Sequence, residues 1–265
     1  FKKSEAPRAL GKLISVGSIT SLLVYAVLWV LLALFQVDYV WIYLLTGSIC
    51  CGLAIFMWFG FPTFRTEHEQ RSSLVLRKRY WLYYALQFFS GARRQIFMVF
   101  AAFLMVEKFG YSAAQVTTLF LVNYAFNWLF AERIGALIGR IGERRALTIE
   151  YVGLTVVFTA YAFVDNPYVG AGLYIVDHMF YALAIAIKTY FQKIADPEDI
   201  ASTAGVSFTI NHIAAVVIPA ALGLVWVVSH AAVFLVGTGF AICSLLLSQN
   251  IPSKPVAGNE VLWGR

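Results

Sequence analysis

Two adjacent arginines, Arg93 and Arg94, interrupt an apolar stretch that runs from 80 to 106. A charge near a bilayer midplane costs about 2.5–3.5 kcal/mol on insertion scales. At that depth it needs a carboxylate, a polar cavity or an anionic ligand beside it. The chemistry this suggests is recognition of a negatively charged group. Consecutive residues point about 100° apart on a helix, so the two arginines face different surroundings. Arg94 shares a face with Gln87, Ser90 and Gly91 and is expected to line a cavity, while Arg93 can turn to a neighbouring helix. Gly91 would let the helix bend there or let another backbone approach closely.

Other polar groups fall in apolar runs as well. Asp177 and His178 sit in a stripe with Tyr174, Tyr181 and Lys188. A buried carboxylate beside an imidazole can carry a coupling proton; alternatively the two are hydrogen-bonded to Tyr174 or Tyr181. Arg94 and Asp177 could also form a structural ion pair between two helices, or one that opens as a gate. Asn123 and Asn127 lie one turn apart on one face, either as glue between helices or as ligands to a solute. Asn211 and His212 raise the same two options, with Pro219 expected to kink their helix. Glu150 is expected to pair with the basic loop preceding it.

The elements that position these groups must be transmembrane helices. Of 265 residues, 60% are hydrophobic and 13% charged, with a mean hydropathy of +0.75. A soluble domain carries about a quarter charged residues. The apolar residues fall into eight runs, at 13–35, 39–61, 80–106, 113–131, 146–164, 168–191, 205–229 and 231–250. Each is close to the roughly 20 residues that span a hydrocarbon core. The fold class is therefore all-α integral membrane. Among the last six spans the order polar, polar, apolar occurs twice, the trace of a 3 + 3 arrangement with two cavity-lining helices and one outer helix in each triplet.

If the N-terminus is cytoplasmic, sixteen of the 20 basic residues fall on that side and only Lys108 on the other. They include Lys2, Lys3, Arg8, Lys12, Arg65, Arg71, Arg77, Arg133, Lys193, Lys254 and Arg265. This asymmetry sets both termini inside, in a plasma membrane of the bacterial inner type. The net charge of +6 follows the loops and does not point to nucleic acid. Tyr39, Trp41 and Tyr43, and Tyr80, Trp81, Tyr83 and Tyr84, fit interfacial belts. Cys50, Cys51 and Cys243 lie inside spans without a metal-ligand or disulfide spacing. The first twelve residues lack the apolar core of a signal peptide, and the chain, beginning at Phe1, is expected to be truncated at its N-terminus.

Between the fourth and fifth spans the sequence reads GALIGRIGERR, residues 135–145. It resembles the G-x-L-x-D-R-x-G-R-[RK] signature of the major facilitator superfamily, matching at Gly135, Leu137, Arg140, Gly142 and Arg144. Gly139 stands in the acidic position and Glu143 in a basic one. The resemblance implies a division into residues 1–61 (last two helices of an N-terminal half), 62–79 (cytoplasmic linker), 80–252 (six-helix C-terminal half) and 253–265 (cytoplasmic tail). It also implies that the first, second, fourth and fifth helices of each half line the path, and that Gly135, Arg140, Gly142 and Arg144 belong to a gating loop.

The expected function is a secondary transporter that moves a small anionic solute by alternating access, coupled to protons. Its expected partners are the solute, protons and the bilayer, without cofactor or metal, and as a monomer when complete. Candidate solute-binding residues are Gln87, Arg93, Arg94, Asn123, Asn127, Tyr174, Tyr181, Asn211 and His212; candidate proton-coupling residues are Asp177 and His178. Alternatives are a receptor or scaffold of the same architecture without flux and, last, an intramembrane enzyme. The four histidines are dispersed, and no H-x4-D, H-E-x-x-H or G-x-S-x-G pattern supports catalysis.

Overall fold

The computed structural model describes residues 5–62 and 76–264. Lys2, Lys3, Arg65, Arg71 and Arg265 lie outside the described residues, as does 63–75 of the expected linker. The described chain is helical: α1 (Ala6–Ala33), α2 (Tyr39–Gly60), α3 (Trp81–Gln95), α4 (Ala113–Ile141), α5 (Glu143–Phe163), α6 (Pro167–Tyr181), α7 (Ile185–Ile194), α8 (Ile200–Val228) and α9 (His230–Ser248). Among the described residues, seven helical segments are long and apolar enough to cross a membrane. One is α3 continued to Lys108, and another joins α6 to α7. The expected fourth span, α4, has 29 residues but is less apolar, because it carries Asn123, Asn127, Glu132, Arg133 and Arg140. The chain is an all-α, multi-pass membrane protein.

Local signals start these helices. Ser112 and Gln115 form a reciprocal capping box at α4. Asn166 accepts hydrogen bonds from the Tyr168 and Val169 amides ahead of α6, and Ser229 accepts one from the Ala232 amide ahead of α9. The expected loop 135–145 is almost entirely helical, since α4 runs on to Ile141 and α5 begins at Glu143. Only Gly142 interrupts them, at φ 86° and ψ 158°, a region essentially restricted to glycine.

Two irregularities lie near the polar residues. After Gln95 the third span continues through wide π-helical turns, Ile96–Ala101 and Leu104–Lys108. The expected span 168–191 is broken by a 3-10 turn at Ala182–Ala184, immediately after Tyr181. At Gly91 the helix stays regular; a Cβ there would meet the Asn211 Oδ1 of α8 at 2.6 Å, so the glycine serves close approach rather than bending.

The helices bury two apolar clusters. One contains Phe97, Phe100, Leu104, Phe158, Tyr161, Trp226 and Phe234 and leads to the end carrying Lys108. The other contains Tyr80, Leu82, Leu147, Tyr190, Ile194, Ile251 and Val261 and leads to the end carrying Gly142, hereafter the basic end. The seam where they meet lies between Leu86 and Ala92 on α3, between Tyr151 and Leu154 on α5 and between Tyr174 and Leu183 along and after α6, close to Arg93, Glu150 and Asp177. Helix α1 packs along α4, whereas α2 has no buried residue.

Candidate functional site

Arg93 is buried in this seam, 1% exposed. Its Nε donates to the Phe89 carbonyl at 3.2 Å, and its guanidinium lies 4.4 Å from the centre of the Tyr151 ring. Its Nη2 is 3.7 Å from Glu150 Oε1. Glu150 is 0% exposed and therefore does not pair with the basic loop as expected. Because α5 starts directly after Gly142, Glu150 is two turns in, about 10 Å along the axis, beyond the reach of that loop. Asp177 of α6 is 2% exposed and feels the Arg93 charge, and Glu150 feels both. A single guanidinium thus has Glu150 at 3.7 Å, with a second carboxylate, Asp177, acting on it electrostatically from farther off.

Arg94 points elsewhere. It is exposed, and among the described residues no carboxylate forms an ion pair with it. Its charge acts on His178 and Tyr181 of α6. His178 Nε2 is 2.9 Å from Asn127 Nδ2 of α4, which joins α4 to α6 beside Arg94. Asn123, one turn from Asn127, is 1% exposed and neither amide atom has a hydrogen-bond partner among the described residues. Tyr174 is buried with its hydroxyl equally unsatisfied. Towards the Lys108 end this polar layer meets aromatic rings. Phe97 packs on Tyr174 at 4.5 Å, Phe120 on Tyr174 at 5.9 Å, and Tyr25 of α1 stacks on Phe120 at 5.2 Å and Tyr124 at 5.0 Å.

The remaining candidates are placed differently. Gln87 is buried and donates to Tyr83 Oη at 3.0 Å, and Ser207 Oγ donates to the same oxygen at 2.9 Å. Asn211 donates to the Ser207 carbonyl of its own helix at 3.0 Å. His212 is exposed, with Nδ1 2.9 Å from the Phe208 carbonyl and its ring against Phe208. The structure thus joins Asn127 to His178, with Arg94 acting electrostatically on His178 and Tyr181, and separately sets Arg93 against Glu150, with Asp177 within the reach of its charge but not paired with it. Gln87 and Asn211 belong to the α3–α8 contact.

The basic end is tied by a different network. Gly135 comes against the Pro7 backbone and Gly11 against Ala131, so α1 and α4 are in close contact. Arg8 pairs with Glu132 at 3.0 Å. Glu143 takes Lys193 of α7 at 2.6 Å, and Arg144 contacts Gln249 at the end of α9. Arg140 is exposed. A cavity of ≈ 700 Å³ opens here, lined by Gly142, Arg144, Arg145, Gln249 and Ser253 among others.

Sequence reasoning set Glu150 against the basic loop and Tyr83 in an interfacial belt, and gave Tyr25 no role. For Glu150 the available signal was a lone carboxylate in an apolar helix, the same signal that exposed Asp177. The sequence pattern of the Major Facilitator Superfamily matches residues 1–219. Neither a curated protein nor a solved structure matches the chain.

Proposed function

The chain belongs to the major facilitator superfamily of membrane transporters, and from that premise we propose that it carries a small anionic solute, recognised by Arg94. The observation that carries this is the unequal fate of the two arginines. Arg93 is compensated by buried acids, while Arg94 stands exposed without a carboxylate among the described residues. Uncompensated positive charge beside His178, Asn127 and Tyr181 suits a carboxylate or phosphate, which accepts the paired N–H bonds of a guanidinium.

In this proposal α3–α9 form the C-terminal half, and α1 and α2 are the last two helices of the N-terminal half. Alternating access rocks the halves across the α1–α4 contact. Asp177 couples the cycle to protons, and the basic end faces the cytoplasm of a bacterial cell.

The test is uptake by the complete protein in proteoliposomes, screened with organic carboxylates, inorganic phosphate, neutral sugars and organic cations. Uptake of an anion that Arg94→Gln abolishes, with membrane insertion intact, is the expected result. Wild-type affinity in the variant, or transport confined to cations or sugars, would overturn it. Anion binding without flux would indicate a receptor instead.

A further inference from the structure

The Arg93 cluster contains more acid than a structural ion pair requires. Arg93 comes from α3, Glu150 from α5 and Asp177 from α6, and none is more than 2% exposed. Arg93 Nη1 and Nη2, both Glu150 carboxylate oxygens and Asp177 Oδ2 have no hydrogen-bond partner among the described residues. The 3.7 Å between Arg93 and Glu150 exceeds the roughly 2.7–2.9 Å of a tight charge-assisted bond. The guanidinium is therefore not locked onto Glu150.

The charges around Glu150 can be followed helix by helix. Arg93 faces it from α3, and Asp177 and Tyr181 interact with it from α6. Tyr151 is its neighbour on α5. Helix α9 has only His230, which pairs with Glu107, and the exposed Cys243. On α7, Lys193 is held by Glu143 and Lys188 is exposed. On α4, Glu132 pairs with Arg8, while Arg133 and Arg140 are exposed. With both acids ionised, the seam would hold a net negative charge away from water, which is costly.

We infer that Glu150 and Asp177 form a shared proton-binding site, in which one carboxyl is protonated and Arg93 neutralises the other. Binding forms one O–H bond on a carboxyl oxygen, with the proton taken from hydronium when the transport cycle opens the seam to water, and release returns it to water. No other bond changes. The two acids titrate as a unit. The helices that hold it are irregular close by, as helices often are at functional sites: wide turns begin at Ile96, and a 3-10 turn follows Tyr181. A rocking movement could therefore shift Arg93 from one acid to the other and release the proton. The site deepens the proton coupling proposed above, adding Glu150 as its second acid.

Infrared difference spectroscopy of the complete protein in vesicles, recorded between acid and alkaline buffer, tests this with the proton itself as probe. The unmodified protein should show the carbonyl stretch of a buried carboxylic acid, shifted in heavy water. Glu150→Gln should abolish that band, and Asp177→Asn should also abolish it, because either leaves Arg93 with a single acid. Arg93→Met should strengthen it. If Glu150→Gln does not fold, Asp177→Asn carries the same expectation. No such band in the unmodified protein, or a band that survives both acid substitutions, overturns the site. The spectra need no solute, so a negative result leaves anion recognition by Arg94 standing, and a failure of that recognition leaves the spectra unaffected.

Discussion

At the scale of single residues, neighbours in sequence have opposite surroundings. A step of about 100° takes Arg93 into a seam lined by acids and Arg94 onto an exposed face. That divergence is legible from helix geometry alone. The partner of Arg93 is not, because it depends on which helices pack together, and Glu150 reaches it only because α5 starts directly after Gly142. Gln87 illustrates a related limit. Its spacing places it on the Arg94 face, yet it is used up by Tyr83, whose hydroxyl also accepts from Ser207. Tyr83→Phe would leave two buried donors without an acceptor, at a cost of about 1–3 kcal/mol. A lowered melting temperature in detergent with unchanged solute affinity is expected. Arg94→Gln, on an exposed site, should stay within about 0.5 kcal/mol of the parent. A comparable loss of stability in both variants would mean that Arg94 is structural.

At the scale of helices, the eight apolar runs anticipate the rods well, because each run must satisfy its own backbone in lipid. Their ends are less legible. Nothing in a hydropathy pattern distinguishes a loop from the polar end of α4, where Arg133 and Arg140 continue a regular helix. The decisive residue is Gly142, whose backbone lies where other residues are strained. Gly142→Ala should cost about 1–3 kcal/mol, read as a fall in melting temperature; no fall would show that the turn can relax. The contact of α1 with α4 is set by small residues, as membrane helix pairs often are. A leucine at Gly135 would collide with the Pro7 backbone. Cysteines replacing Arg8 and Glu132, whose side chains meet at 3.0 Å, should be joined efficiently by a short bifunctional maleimide. Gly135→Leu should reduce that yield severalfold. An unchanged yield would show that α1 can slide along α4 without losing the contact.

At the scale of the molecule, the two ends are built differently. At one end Lys108 meets Asp165 at 2.8 Å, and Trp226 donates to Glu107 at 2.8 Å. The other end gathers the basic residues, and the last residues fold back over it. Asn250 binds the Trp263 backbone in both directions, Tyr190 donates to the Glu260 carbonyl, and Trp81 donates to that of Gly264. The family resemblance implies a cytoplasmic tail at 253–265 without saying how it is held; its anchoring comes from a few long-range bonds that no local pattern encodes. The charge asymmetry, by contrast, is fully legible, and it predicts orientation through the cost of moving basic loops across the membrane. With Cys50, Cys51 and Cys243 replaced by serine, single cysteines at Asp165 and Arg145 report on opposite ends. Asp165 is highly exposed, and its loss removes only a surface ion pair worth about 0–1 kcal/mol, so the probe barely perturbs the fold. In intact cells a membrane-impermeant maleimide should label the Asp165→Cys protein and spare Arg145→Cys until the membrane is opened. The reverse pattern would place the basic end, with its Glu143–Lys193 and Arg8–Glu132 pairs, in the medium instead of the cytoplasm.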